Sequence, residues 1–138
     1  MTSYARDINA WSIEQAAYLR ESQLDKIDFV NVAEEILDIS RREKRELKRR
    51  LAIMLCTMIK IEHHPEHYGL TFKIAGYEQH KAINHYLEKE APSLTSHLRD
   101  PTFIEAVWSD AVILVIKETG IVTLPEKCPW DLVMLLKG

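Results

Sequence analysis

Residues 28–63 read DFVNVAEEILDISRREKRELKRRLAIMLCTMIKIEH, thirty-six positions without one proline or glycine. Phe29, Ile36, Leu47, Met54 and Met58 fall on one stripe at about 100° per residue, the period of an amphipathic helix. Asn31, Glu34, Glu35, Asp38, Arg41, Arg42 and Arg45 lie on the other side. The stretch predicts one long second helix, Asp28 to about His63. Its second half, LAIMLCTMIKI, is apolar nearly all round and is therefore expected to be the central, buried element. The boundary near Ser40, between an acidic and a basic block, is where a bend would fall.

Breakers divide the rest. The first is Pro65, followed by Gly69, Gly76, Pro92, Pro101, Gly120, Pro125 and Pro129. Before the long helix, Ser12-Ile13-Glu14-Gln15 has the pattern of a capping box and predicts a first helix from Ser12 to about Glu21, with a turn over Asp25–Asp28. A third helix is expected from Leu70 to Glu90, with Ile74, Tyr77, Ile83, Tyr86 and Leu87 as its stripe. Gly76 inside it is either a weak point or a close helix crossing. Asp100-Pro101 is a helix start, because aspartate caps free N–H groups and proline loses nothing at the first helical position. The fourth helix should run to Thr119 and stop at Gly120. A short amphipathic helix, Leu132–Leu136, follows Cys128-Pro129-Trp130, with Trp130 placed to plug the bundle. The expectation is an all-α fold: a compact bundle of about four main helices plus a short C-terminal helix, around a long central second helix, in one domain spanning 1–138.

Composition limits the function classes. The chain has 138 residues, 46% hydrophobic and 28% charged, with two cysteines. That balance is ordinary for a folded protein and too apolar for a disordered one. No stretch approaches the roughly 18–20 apolar residues of a membrane span, and the start lacks a secretion signal's apolar core. A cytoplasmic setting follows, with Cys56 and Cys128 as free thiols. Net charge is -3, which gives no global attraction to nucleic acid. Locally the balance is uneven. Arg41–Arg50 holds seven basic residues and two acidic; Glu21–Asp38 holds six acidic residues and one lysine.

Read in order, these pieces resemble a bacterial family known as domain of unknown function 29. The residues that carry the likeness are Tyr4, Asp7, Trp11, Gln15, Leu19 and Arg20, then Asp28, Asn31, Glu34, Glu35 and Ile36. They continue with Glu43, Lys44, Arg45, Glu46, Leu47, Leu51, Lys60 and Pro65, and close with Pro92-Ser93-Leu94 and Cys128-Pro129-Trp130. The resemblance implies an all-helical fold and no activity. The chain departs from the family pattern where Thr57 stands for a histidine, Ile61 and Phe72 for tryptophans, and His80 for an arginine.

Three constellations are candidates for chemistry. His63, His64 and His67 are suitable metal ligands by residue type. They crowd into one segment broken by Pro65, however, whereas bundle metal sites draw donors from several helices. A helix C-terminus favouring imidazolium is the simpler reading, and no metal or other cofactor is expected. Asn31, Glu34, Glu35 and Lys60 could form an acid–base group, but Lys60 lies about 37 Å along the axis from Glu35 at 1.5 Å per residue. A polar network, with Arg20 pairing Glu34 or Glu35, is the favoured reading. The basic run, with Arg41, Arg42, Arg45 and Arg49, sweeps an arc of about 160°. It lacks the interleaved aromatics of a nucleic-acid reader and is punctuated by Glu43 and Glu46, so a self-paired, solvated face or an acidic protein partner is preferred to nucleic acid. No phosphate loop, G-x-S-x-G, HExxH or CxxC is present, and Cys56 in an apolar run is expected to be inert.

These readings favour a non-enzymatic protein–protein interaction module. A metal- or carboxylate-dependent enzyme using Glu34, Glu35 and His63–His67 is the alternative, and nucleic-acid binding through Arg41–Arg50 is the second. The apolar stretch AVILVI at Ala111–Ile116 adds an expectation of a homodimer through the fourth or third helix.

Overall fold

In a computed structural model, which describes residues 1–137, every regular element is helical. The elements are α1 (Ile8–Arg20), a 3-10 turn (Leu24–Lys26), α2 (Phe29–His63), α3 (Leu70–His85), a π-helical turn (Tyr86–Glu90), a 3-10 stretch (Pro92–Arg99), α4 (Pro101–Thr119) and α5 (Leu132–Lys137). The all-α expectation, with its long second helix and short terminal one, holds. The chain divides into two units, Met1–Arg42 and a second from Glu43 onward. The helix α2 starts in the first and continues without interruption through Ser40 into the second.

Local caps explain most boundaries. Asp100 Oδ1 accepts from the Thr102 N–H at 3.1 Å, and Gly120 ends α4 at φ 76°, in the left-handed region glycine favours. The start of α1 differs from expectation. Asp7, not Ser12, is its cap: Asp7 Oδ1 accepts from Ala10 N–H at 3.0 Å, while the Ser12 hydroxyl turns back to the Asn9 carbonyl at 2.8 Å. The earlier start adds a turn that carries Trp11. At the other end α3 gives way at Tyr86 to a wider π-helical turn.

The first unit is held by a polar hub. The Asp28 carboxylate accepts from Trp11 Nε1 at 3.0 Å and from Asn31 Nδ2 at 2.8 Å. The Asp28 N–H donates to Gln15 Oε1 at 2.8 Å. Tyr4 stacks edge-on against Trp11, with ring centroids 4.8 Å apart, and donates its hydroxyl to Glu35. Trp11, Gln15 and Ile27 are the buried side chains of this unit. Phe29 and Ile36, expected in the core, are instead 61% and 62% exposed. The reason is the side that the N-terminal segment uses: Tyr4 bonds Glu35 on the polar side of α2, while Trp11 and Gln15 of α1 bond Asp28 just ahead of it.

The second unit has an apolar core. Leu47, Leu51, Met54, Leu55 and Ile59 of α2 meet Ile83, Tyr86 and Leu87, Leu94 and Leu98, Phe103, Val107, Trp108, Ala111 and Val115, and Leu132 and Leu136. A Cβ on Gly76 would stand 3.6 Å from Thr57 Cγ2, so α3 crosses α2 closely there. Ile74 and Tyr77 of the expected α3 stripe are exposed. Trp130 is half-buried, edge-on to Trp108 at 6.1 Å. The last carbonyls of α5 are satisfied from α3: His80 Nε2 lies 3.1 Å from the Leu135 oxygen, and Asn84 Nδ2 donates to that of Leu136 at 2.9 Å.

Truncating a fully buried α2 side chain should leave a cavity, whereas truncating an exposed one should not. Leu51→Ala is expected to cost about 2–5 kcal/mol in urea unfolding and Ile74→Ala about 0.5 kcal/mol or less. Equal losses at the two positions would contradict the assigned core.

Candidate functional site

The expected polar constellation is not one site. Lys60 is bound within the second unit: its ammonium pairs with Glu118 of α4 and lies 5.7 and 5.8 Å from the ring centroids of Tyr68 and Phe72. Cys56, one turn before Lys60, has its Sγ 3.4 Å from Glu118 Oε2. Glu35 bonds Tyr4, and Glu34 pairs with Arg41 at 3.1 Å, both within the first unit. Arg20 is exposed and makes no ion pair among the described residues, so its expected pairing with Glu34 or Glu35 is corrected. Asn31 serves the Asp28 hub.

Lys60, Glu118 and Cys56 bring a thiol, an amine and a carboxylate together. Burial pulls the Lys60 ammonium down, but the bond to Glu118 and the neighbouring Cys56, Glu118 and Tyr68 outweigh it and hold the lysine above its usual range. Glu118 is held below the usual carboxylate range by the same bond. Burial, with the carboxylate's help, pushes the Cys56 thiol up to about 11. The three groups therefore stabilise a charged lysine and a protonated thiol, neither of which is a nucleophile at neutral pH. The sequence shows Lys60 in an apolar run, but its partner is fifty-eight positions away, and no local pattern signals it.

The histidines also stay apart in role. His63 Nδ1 lies 3.1 Å from the Ile59 carbonyl, at the end of α2. His64 faces Glu66 at 3.5 Å and stacks on His67 with centroids 5.8 Å apart. Among the described residues no three His, Cys, Asp or Glu side chains are grouped to hold a metal.

The basic block is largely self-paired. Arg41 binds Asp38 at 2.6 Å as well as Glu34. Arg49 grips Glu46 with Nε and Nη2 at 3.0 and 2.7 Å, and Arg50 reaches the same carboxylate at 2.9 Å. Glu46 is thereby lowered to about 2, chiefly by Arg49. Arg50 also lies over the ring of Tyr86, 4.5 Å from its centroid, and Tyr86 donates to Glu43. Arg42 and Arg45 have no ion-pair partner among the described residues.

Two surfaces stand open. One is a groove of about 790 Å³ between α4 and the following strap, lined by Ile104, Trp108, Val112, Leu124, Glu126 and Cys128. The other is the apolar side of α2 in the first unit, where Phe29, Val30, Ile36, Leu37 and Ile39 are each at least half exposed. Phe29 and Ile36 belong to the expected stripe; periodicity fixes the phase of that stripe but not what covers it.

The Cys56 geometry has a pH signature. A thiol raised by folding adds stability that is complete below its ordinary value of 9.0 and is lost as pH rises from there toward about 11. Cys128 is likewise raised by burial. Thiolate absorbance at 240 nm should be absent from the folded chain at pH 8; a thiolate step near neutrality would contradict the assignment.

No curated protein and no solved structure matches the chain. No described helix is long and apolar enough to cross a membrane. A family model described as "Domain of unknown function DUF29" matches residues 3–138, and the chain belongs to that family.

Proposed function

We propose that this chain is a non-enzymatic module that works through protein–protein contacts. The observation that carries the reading is the inverted first unit, in which Tyr4 bonds Glu35 on the polar side of the long helix while Phe29, Val30, Ile36, Leu37 and Ile39 on its apolar side stay exposed. Exposed apolar faces of this kind mark contact surfaces in folded proteins. The polar residues support the same reading. Lys60, Glu118, Cys56, Glu46 and Tyr86 are occupied in pairs that fix charge states rather than activate groups.

The enzyme alternative draws less support, since Glu35 and His63 bond to different partners, Tyr4 and the Ile59 carbonyl. Nucleic-acid binding is weakened by Glu46 and by the Arg41 pairs, which neutralise part of the basic arc. Arg42 and Arg45 remain as charges that an acidic protein surface would meet. A reducing, cytoplasmic setting suits the two free cysteines.

The test is affinity purification of the full chain from its own cell. A protein retained in amounts comparable to the bait is expected, and its loss is expected in a Phe29→Glu, Ile36→Glu double variant that keeps its far-UV circular dichroism. Unchanged retention in that variant, or a wild-type chain with neither a stoichiometric companion nor self-association, would contradict the reading.

A further inference from the structure

We infer that the apolar side of α2 in the first unit is covered by the same side of a second copy, as an antiparallel helix pair about a two-fold axis level with Glu34 and Glu35. The inference rests on the interaction reading and names its partner.

Phe29, Ala33, Ile36 and Ser40 fall within an arc of about 60°, flanked by Val32 and Leu37 and then by Val30 and Ile39. Ala33 and Ser40 are exposed like the larger residues. In an antiparallel pair with that axis, Phe29 meets Ser40 of the partner subunit, and Ala33 meets Ile36 of the partner subunit. Each large side chain thus finds a small one, and the symmetry repeats both contacts, as a two-fold interface requires. Val30 and Leu37 lie on one flank and Val32 and Ile39 on the other, and the two-fold keeps each flank together, so Val30 meets Leu37 of the partner subunit and Val32 meets Ile39 of the partner subunit. Every apolar position of the face has an apolar or small counterpart, so the helices can approach at ordinary packing distance.

Charge selects the orientation. The start of the segment carries the exposed Asp25, and its end carries the exposed Lys44 on the flank of the apolar face. An antiparallel pair sets acid against base at both ends, and a parallel pair sets like against like. The helix dipoles add in the same direction. Glu34, Glu35 and Asp38 lie on the far side of each helix and do not face one another.

Area fits as well. Phe29, Val30, Ile36, Leu37 and Ile39 present on the order of 500 Å² of apolar surface, the upper end of a monomer's largest patch. A standard interface covers roughly 800 Å² per partner, and Val32, Ala33, Ser40 and the charged rim supply the remainder. The alternative surface on α4 is smaller. Ala111 and Val115 are buried there, and Ile113 and Ile116 are the exposed members of the run.

Sedimentation equilibrium of the full chain, from about 1 to 100 µM, tests the proposal. The expected mass is twice 16.0 kDa. Ile36→Glu, whose side chain is exposed in the single chain, should weaken association at least ~100-fold without changing the circular dichroism, because it buries an unpaired charge. Ile113→Glu should leave the dimer intact. In a Cys128→Ser background, a Phe29→Cys chain mixed with a Ser40→Cys chain should form mixed disulfides in preference to either self-linked product. Overturning results are a wild-type single-chain mass at 100 µM, a dimer indifferent to Ile36→Glu, or self-linked products in excess. A single-chain mass together with a stoichiometric foreign companion in the affinity purification would remove the second copy and leave the interaction reading standing.

Discussion

One apolar stripe on α2 governs this molecule. Phe29, Ala33, Ile36 and Ser40 lie at the same angle around the helix as Leu47, Leu51, Met54 and Met58, so the chain carries one continuous line for about thirty residues. From Leu47 on, the line is the centre of the second unit, and Leu47, Leu51 and Leu55 lose all contact with solvent. Before Ser40, Phe29 and Ile36 on the same line are exposed. Folding free energy is concentrated where the stripe is enclosed. The rest of the stripe is a surface with the composition of a core.

Polar groups arrange themselves around this division. In the second unit they sit at the edge of the core and are matched there: Lys60 with Glu118, Tyr86 with Glu43 and Arg50, and Glu46 with Arg49 and Arg50. In the first unit the order on α2 is reversed: Asn31, Glu35 and Asp38 are half-buried while Phe29 and Ile36 are exposed. Asp28 takes bonds from Trp11 and Asn31, its N–H is taken by Gln15, and its carboxyl is held below the usual range, first by Asn31. A hub of directional bonds fixes the attitude of α1 without consuming the apolar side of α2. That separation lets one helix be both a core element and a contact surface.

What the sequence makes legible is what short-range physics decides. Asp100-Pro101 and Gly120 bound α4 because capping depends on a few neighbouring atoms. The unbroken run 28–63 gives α2 nearly to the residue. Ser12 misleads because Asp7 offers an equally good acceptor one turn earlier, and only the bond between Trp11 and Asp28 makes the longer helix worthwhile. Long-range pairings are illegible for a different reason. Glu118 finds Lys60, and His80 and Asn84 find the end of α5, by way of the fold rather than any local spacing. The exposure of Phe29 and Ile36 belongs to the same class, since a helical period states which residues share a side and not whether anything packs on it.

Amide hydrogen exchange along α2, followed as protein concentration is raised, separates the enclosed part of the stripe from the open part. Residues 47–59 should exchange with a protection that does not depend on concentration, while residues 29–40 should gain protection as copies meet. Protection that is uniform from Phe29 to Ile59 and indifferent to concentration would contradict that separation.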